Sequence, residues 1–236
     1  MEYRLIPPGT ISIYIHVPFC VRKCGYCDFF SIADADDFTI SHTIASILHQ
    51  LVYYYTQLAA PRVTSLYIGG GTPSSIGLSA TRMLLSGISR IIGADNLNAD
   101  DFEYTIEANP ESITDDLLGV YKSAGINRLS VGIQTFSRKY YSLIGRYGSP
   151  EIAREALELL RKHWTGRLNL DLMTAFPGQS PEEGTTDVEE LLSYSPDHVS
   201  LYTLTVEPGT PLCNDLKEGK ISAAGDDAVD VWEIQI

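Results

Sequence analysis

Short apolar runs rich in β-branched residues alternate along the chain with longer segments in which apolar residues recur at helical spacing. The strand-like runs are residues 11–17, 64–68, 102–108, 128–133, 168–173 and 198–204. Helical patterns cover residues 39–56, 80–92 and 150–163, and two further helices are predicted to begin after Thr114 and Ser180. Six alternations of strand and helix predict an α/β fold, with a parallel sheet and helices packed outside it.

Three of the predicted helix starts carry capping signals. Thr114 precedes two aspartates, whose charge favours a helix N-terminus. Ser149 and Ser180 are each followed by proline, which is favoured at the first helical position, and Ser180 forms a capping box with Glu183. Periodicity alone leaves two arrangements open, a doubly wound open sheet and a complete or partial barrel.

Composition narrows the class of protein. The 236 residues are 44% hydrophobic and 20% charged, as expected of a soluble globular protein with one large domain. The formal net charge of −13 lacks the basic footprint of a nucleic-acid-binding protein. We expect no secretion signal, because the N-terminal residues lack a long apolar region. We expect no membrane span, because no run of about 18 apolar residues occurs. Few cysteines and no leader indicate the reducing cytoplasm.

Three cysteines lie close together in one short segment. Cys20, Cys24 and Cys27 have the spacing C-x3-C-x2-C, and Cys213 is far away in sequence. Three local thiolates can hold three irons of a [4Fe–4S] cluster and leave the fourth iron open to a ligand. A structural zinc site is the alternative, but zinc favours four ligands, of which His16 could be the fourth. Disulfide pairing would leave one of the three cysteines over.

Further motifs fall at the ends of predicted strands. Residues 69–73 read Gly-Gly-Gly-Thr-Pro, a turn in which the backbone can approach a ligand closely, although such glycines also serve simple tight turns. Glu107, Gln134 and Asp171 place polar groups within or at the ends of apolar strands, where they need partners. Arg146 offers a rigid fork of donors suited to a carboxylate.

Taken together, these motifs resemble a known family. The matching stretches are YIHVPFCVRKCGYCDF, GGGTPS, EANPE, GINRLSVGIQTF, NLDLMTAFPGQS and VSLYTLTVEPGTP. They resemble radical S-adenosylmethionine (SAM) proteins of the oxygen-independent coproporphyrinogen oxidase group. The resemblance implies a partial (β/α)6 barrel with parallel strands over residues 1–211, and residues 212–236 would begin a truncated C-terminal region.

The resemblance also implies the cofactors. A [4Fe–4S] cluster would be held by Cys20, Cys24 and Cys27, with SAM on the open iron. An electron donor such as flavodoxin or ferredoxin would reduce the cluster, and one electron would then cleave SAM. The residues implied to line the SAM site are Tyr14, Gly70, Gly71, Thr72, Glu107, Gln134, Arg146 and Asp171.

One position separates two branches of this family. Oxidases of the group carry an additional cysteine two residues after the third, where this chain has Phe29. The sequence Asp28-Phe29-Phe30 resembles the haem-chaperone branch, whose members bind haem and deliver it to haem proteins. We therefore expect a haem-chaperone-like protein that is C-terminally short, since the His-Asn-x-x-Tyr-Trp motif of that branch is absent from the 236 residues. The alternatives are anaerobic coproporphyrinogen III oxidation and a non-redox structural-metal domain.

Overall fold

The computed structural model describes residues 9–97 and 99–223. Its strands are β1 (Thr10–Val17), β2 (Phe19–Cys20), β3 (Ile32–Ala33), β4 (Arg62–Gly70), β5 (Glu103–Ala108), β6 (Arg128–Gln134), β7 (Arg167–Thr174) and β8 (His198–Thr203). Its α-helices are α1 (Asp37–Gln57), α2 (Gly77–Ile92), α3 (Ala94–Leu97), α4 (Asp115–Ser123), α5 (Arg138–Leu143), α6 (Pro150–His163), α7 (Pro181–Ser193) and α8 (Pro211–Lys217). Two short 3-10 helices lie at Pro73–Ser75 and Pro110–Ser112.

Six strands form one parallel sheet in the order β1-β4-β5-β6-β7-β8, while β2 and β3 pair separately. Because the main strands follow chain order, every crossover steps in the same direction. Right-handed crossovers then place the helices on one face, whereas a doubly wound sheet reverses direction midway. Within the described residues β1 and β8 each pair with one neighbour, so the sheet is a partial barrel. The predicted fold class is confirmed.

The two faces of the sheet differ in polarity. Alternate residues such as Leu129, Val131 and Leu170 belong to the buried core together with apolar side chains of the helices, including Leu84 of α2 and Leu157 of α6. Residues between them on the same strands face the barrel interior, and many of those are polar. The core therefore lies between the sheet and the helices, and the barrel interior is left for polar chemistry.

The helix starts confirm the predicted caps. Thr114, Ser149 and Ser180 each accept a hydrogen bond from a backbone N–H in the first turn, and Ser180 and Glu183 form the complete capping box. Thr210 caps α8 in the same way, a helix that sequence periodicity did not reveal. The sequence also indicates the start of a helix over residues 226–236, which lie outside the described residues. The division at residue 211 stays a prediction. No helix within residues 9–97 and 99–223 is long and apolar enough to cross a bilayer.

Candidate functional site

A cavity of about 630 Å³ opens at the carboxyl ends of the strands and extends into the barrel. The three motif cysteines line it, together with every residue implied for the SAM site except Tyr14. These residues come from β2, the loop that carries Cys24 and Cys27 (the cysteine loop), the ends of β4, β5 and β6, the turn after β4, the inner face of β7 and the turn after α5. The parallel topology brings them together because all of these strand ends meet at one edge.

The cysteine loop is fastened from two sides at Gly25. Its N–H donates to the carbonyl of Ile144 at the end of α5 (2.7 Å), and its carbonyl accepts from the N–H of Leu212 in α8 (2.9 Å). A Cβ at Gly25 would lie 3.3 Å from the oxygen of Ile144, so the close approach favours glycine. The loop geometry therefore rests on two helices that follow far later in the chain.

The chemistry of the three thiols fits a multi-iron cluster. They are unpaired and partly exposed, and burial raises the pKa of the Cys24 and Cys27 thiols. In the described ranges no three His, Cys, Asp or Glu side chains stand close enough to hold a single metal ion. A cube of four irons and four sulfides is wider than a single metal ion, so its cysteine ligands stand further apart.

The glycine turn after β4 packs directly on residues 17–20, which run from the end of β1 through β2 to Cys20 and which we call the cysteine strand. Gly71 N–H donates to the Val17 carbonyl (2.9 Å), and Thr72 N–H donates to the Phe19 carbonyl (2.6 Å). The Thr72 hydroxyl lies 3.5 Å from the sulfur of Cys20, to which it donates. These contacts therefore fix the position of the glycine turn relative to Cys20.

Glu107, on the neighbouring strand β5, forms hydrogen bonds that stabilise the glycine turn. Its carboxyl oxygens accept from the Tyr67 hydroxyl (2.7 Å) and from the Gly70 N–H (3.1 Å). Burial raises the pKa of the Glu107 carboxyl, and the two donors oppose that rise. A carboxylate held in this way presents its remaining lone pairs to a ligand in the cavity.

Asp171 lies deeper, on the inner face of β7. Its carboxylate accepts from Asn169 Nδ2 (2.6 Å) and from the Ser130 hydroxyl (3.3 Å). Burial raises the pKa of Asp171, while its neighbouring donors lower it. Asp171 and Glu107 thus form two separate acceptor sites along one wall.

Arg146 is 8% exposed and points into the cavity. It donates to the carbonyl of Gly132 and to Asn109 Oδ1 (3.2 Å), and its guanidinium faces the ring of Tyr141. Burial opposes its charge, but the surrounding phenol and acidic groups raise the pKa of Arg146 above its usual value. All of its hydrogen-bond partners in the described chain are uncharged oxygens, so its charge is available to an anionic ligand.

Gln134 is turned inward by a strained backbone. Its φ is +71°, and the pairing of β6 with β7 is irregular between Gly132 and Gln134. The next two residues are held by a buried carboxylate: Thr135 donates its hydroxyl and Phe136 its N–H (3.0 Å) to Asp187 of α7. Asp187 therefore stabilises the conformation that aims Gln134 into the cavity.

We expect Asp187→Ala to lower the free energy of unfolding by about 2–3 kcal/mol, because it leaves a buried N–H and hydroxyl unpaired. It should also weaken SAM binding, since Gln134 would no longer be fixed. Chemical denaturation and SAM titration measure both effects. Glu189→Ala, on the same helix but exposed, is the control. Equal stability of the two variants would contradict the role assigned to Asp187.

Tyr14 lies outside the cavity. Its side chain is 59% exposed, its hydroxyl is 3.1 Å from His16 Nδ1, and its ring stacks on Tyr67 with centroids 6.0 Å apart. Tyr67 does line the cavity. The structure therefore places Tyr14 behind Tyr67, and its direct contact with SAM stays a prediction.

Several cavity residues were not anticipated. They share inward positions or follow a strand end: Tyr67, Asn109, Ser130, Asn169, Ser200 and Tyr202. Polar residues at every second position, as in Asn169-Leu170-Asp171 and Ser200-Leu201-Tyr202, are the signal that would have revealed most of them.

The chain is similar in sequence to bacterial proteins that are named heme chaperones. The chain is 37% identical over 206 residues to the heme chaperone HemW of Buchnera aphidicola, covering 87% of this chain and 53% of that protein. It is 37% identical over 205 residues to the heme chaperone HemW of Escherichia coli, with the same coverages. The chain thus spans about half the length of the curated relatives it matches.

A solved structure of the Escherichia coli coproporphyrinogen III oxidase HemN, described as a radical SAM enzyme, superposes with a TM-score of 0.84. It is 24% identical, with 99% of this chain and 53% of that chain covered, and this likeness concerns the fold. The family model of the radical SAM superfamily matches residues 14–191. That match includes the cysteine loop, the glycine turn and all the polar strand ends, and the chain therefore belongs to the radical SAM superfamily, which implies a [4Fe–4S] cluster and SAM.

Proposed function

We propose that this chain is the radical SAM core of a haem chaperone, with a [4Fe–4S] cluster on Cys20, Cys24 and Cys27 and SAM in the adjoining cavity. The observation that carries this proposal is that the three cysteines open into the same cavity as the polar ends of the barrel strands. The likeness in sequence to heme chaperones of several bacteria supports the choice of branch.

Different residues of the cavity would bind different groups of SAM. The glycine turn brings backbone groups of Gly70 and Gly71 next to the cysteines, where the methionine amino end would bind. Arg146, which has uncharged partners, would meet the SAM carboxylate. Glu107 and Asp171 would accept from the amino group or the ribose hydroxyls. A bound, reduced four-iron cluster supplies one electron for the cleavage of SAM.

Haem delivery is favoured over porphyrin oxidation by Phe29. This residue stands where the oxidase branch carries its additional cysteine, and its ring is exposed at the cavity opening. The partners would be haem, haem-acceptor proteins and a flavodoxin- or ferredoxin-like electron donor. The cytoplasm is the proposed location, because all four cysteines are unpaired thiols.

The test is electron paramagnetic resonance of the reduced protein after anaerobic reconstitution with iron and sulfide, with and without SAM. A [4Fe–4S]⁺ signal that shifts on addition of SAM is the expected result. A haem titration and a coproporphyrinogen III turnover assay on the same sample then distinguish the branches. No iron–sulfur signal would overturn the cofactor assignment, and turnover to protoporphyrinogen IX would overturn the choice of branch.

We expect Asp171→Ala to weaken SAM binding by roughly tenfold to a hundredfold, the effect of losing a hydrogen bond to a charged group. The cluster itself should be retained, because Asp171 contacts none of the cysteines. Isothermal titration of the reconstituted protein with SAM measures the affinity, and the iron content shows that the cluster is intact. Asp197→Ala, at a strand end outside the cavity lining, is the matched control. Unchanged affinity in Asp171→Ala would remove Asp171 from the site.

A further inference from the structure

An apolar and basic rim borders the cavity opening beside the cysteine loop. Phe29 and Phe30 directly follow the loop and are 67% and 71% exposed. Phe29 lines the opening together with Arg22 and Lys23. We call Arg22, Lys23, Phe29 and Phe30 the rim. Phe30 directly adjoins Phe29 in sequence but is not part of the cavity lining. Adjacent exposed aromatic residues beside a cavity are typical of a binding surface.

The backbone of the rim is fixed although its rings are exposed. Lys23 Nζ donates to the carbonyl of Phe29 (3.0 Å), and His16 Nε2 donates to the carbonyl of Phe30 (3.0 Å). The ring of His16 also lies beside that of Phe30, with centroids 6.3 Å apart. These contacts fix the backbone that carries the two rings, and His16 packs beside the ring of Phe30, which lowers the entropy lost on binding.

The cations at the rim form no ion pair with an acidic side chain of the described residues. Four basic side chains line the cavity, Arg22, Lys23, Arg128 and Arg146, and every ion pair of the described residues lies elsewhere. This is notable in a chain with 30 acidic and 17 basic residues. SAM brings one carboxylate, for which Arg146 is the proposed partner. Asp28 also lines the opening, so the rim keeps a net positive charge for another anion.

A buried hydroxyl next to the rim also lacks a hydrogen-bond partner among the residues that the structure describes. Ser31 Oγ is buried, and it forms no hydrogen bond within the described part of the chain. Ser31 lines the same cavity. A buried hydroxyl left unpaired is unfavourable, and a ligand with acceptor oxygens would satisfy it.

We propose that the rim binds haem at the mouth of the SAM cavity, with the apolar macrocycle against Phe29 and Phe30 and the propionates at Arg22 and Lys23. The combination of flat apolar rings and unpaired cations matches a planar apolar molecule that carries two carboxylates. The inference rests on the proposed haem-chaperone function and adds where this core contacts the cargo. It also gives Phe29 a role as a contact surface for the macrocycle.

The test is a haem titration of the reconstituted protein, followed by Soret absorbance. Arg22→Gln with Lys23→Gln, and Phe29→Ala with Phe30→Ala, should each raise the dissociation constant by roughly tenfold. The controls are Arg82→Gln with Arg90→Gln for charge, and Phe38→Ala, another exposed phenylalanine (76%), for apolar area. Haem dimethyl ester, which lacks the carboxylates, should bind the wild type more weakly but should bind the arginine–lysine variant like haem itself.

The SAM-dependent resonance signal of each variant shows whether the adjacent cysteine loop is intact. If wild-type protein with an intact cluster binds no haem, the proposed chaperone function fails together with this inference. If the wild type binds haem and the rim variants bind it equally well, the inference alone is wrong. The inference is also wrong if the rim variants keep haem affinity but lose self-association or reduction by a protein electron donor, because the rim would then be a protein interface.

Discussion

Cys24→Ala is expected to abolish the [4Fe–4S]⁺ resonance signal of the reduced protein, with and without SAM. A four-iron cluster with one open iron needs all three loop thiolates, and alanine supplies no sulfur. Cys20 and Cys27 alone leave two irons without protein ligands. Iron and sulfide per chain should fall to background after reconstitution, measured by colorimetric assay on the desalted protein.

The matched control is Cys213→Ala. Cys213 is buried in α8 and does not line the cavity. Its replacement should lower stability by roughly 1 kcal/mol, through loss of packing, and leave the signal unchanged. A Cys24→Ala protein that keeps a SAM-responsive four-iron signal would show that the ligand assignment is wrong.

Gly71→Ala is expected to prevent SAM binding and to lower the free energy of unfolding by roughly 1–3 kcal/mol. A Cβ at this position would lie 2.5 Å from the carbonyl oxygen of Phe19, a backbone atom that cannot move aside as a side-chain tip can. The glycine turn would have to shift away from the cysteine strand, which would break the Thr72-to-Phe19 hydrogen bond. Urea denaturation and SAM titration measure the two effects.

Gly119→Ala is the control for this substitution. Gly119 lies inside α4, and a Cβ there would have no atom within 4 Å apart from the backbone of its own helix and its chain neighbours. Alanine is the better helix former, so this variant should gain about 0.5–1 kcal/mol. If Gly71→Ala were as stable and bound SAM as well as wild type, the close packing of the turn on the cysteine strand would have no functional meaning.

The order of elements could be predicted from the sequence, but their arrangement could not be predicted from periodicity. Alternating strand and helix patterns are common to doubly wound sheets and to barrels. The difference lies in which strands pair, and pairing such as β1 with β4 depends on contacts between segments about fifty residues apart. The motif resemblance, rather than the apolar pattern, led to the partial barrel.

Helices α5 and α8 were not predicted from the sequence, for two different reasons. Helix α5 has six residues, too few for a helical period to be recognised. Helix α8 has seven, but it carries the same signal as the predicted helices, a capping Thr210 followed by Pro211. In the sequence, that signal lies at the end of the motif VSLYTLTVEPGTP.

The site was predictable where its residues belong to compact motifs. The cysteines, the glycine turn and the polar strand ends are short patterns with chemical meaning, and the structure brings them to one cavity. Asp187 had no such pattern: it is one acidic residue among several on α7, and only the fold shows that it faces Thr135. Tyr67 could not be predicted as a site residue, because a tyrosine in a strand is ordinarily a packing residue.

The hydrogen bond between Gly25 and Leu212 would couple binding of the proposed cluster to the helix that follows the barrel. Because such coupling is reciprocal, whatever stabilises the cysteine loop also stabilises the docked position of α8, and by the same free energy. Occupancy of the loop by a cluster would therefore slow hydrogen exchange in Pro211–Lys217, and displacement of that helix would loosen the loop. Cluster occupancy of the cysteine loop would in this way change the stability of a helix that lies outside the sheet and carries none of the proposed cluster ligands.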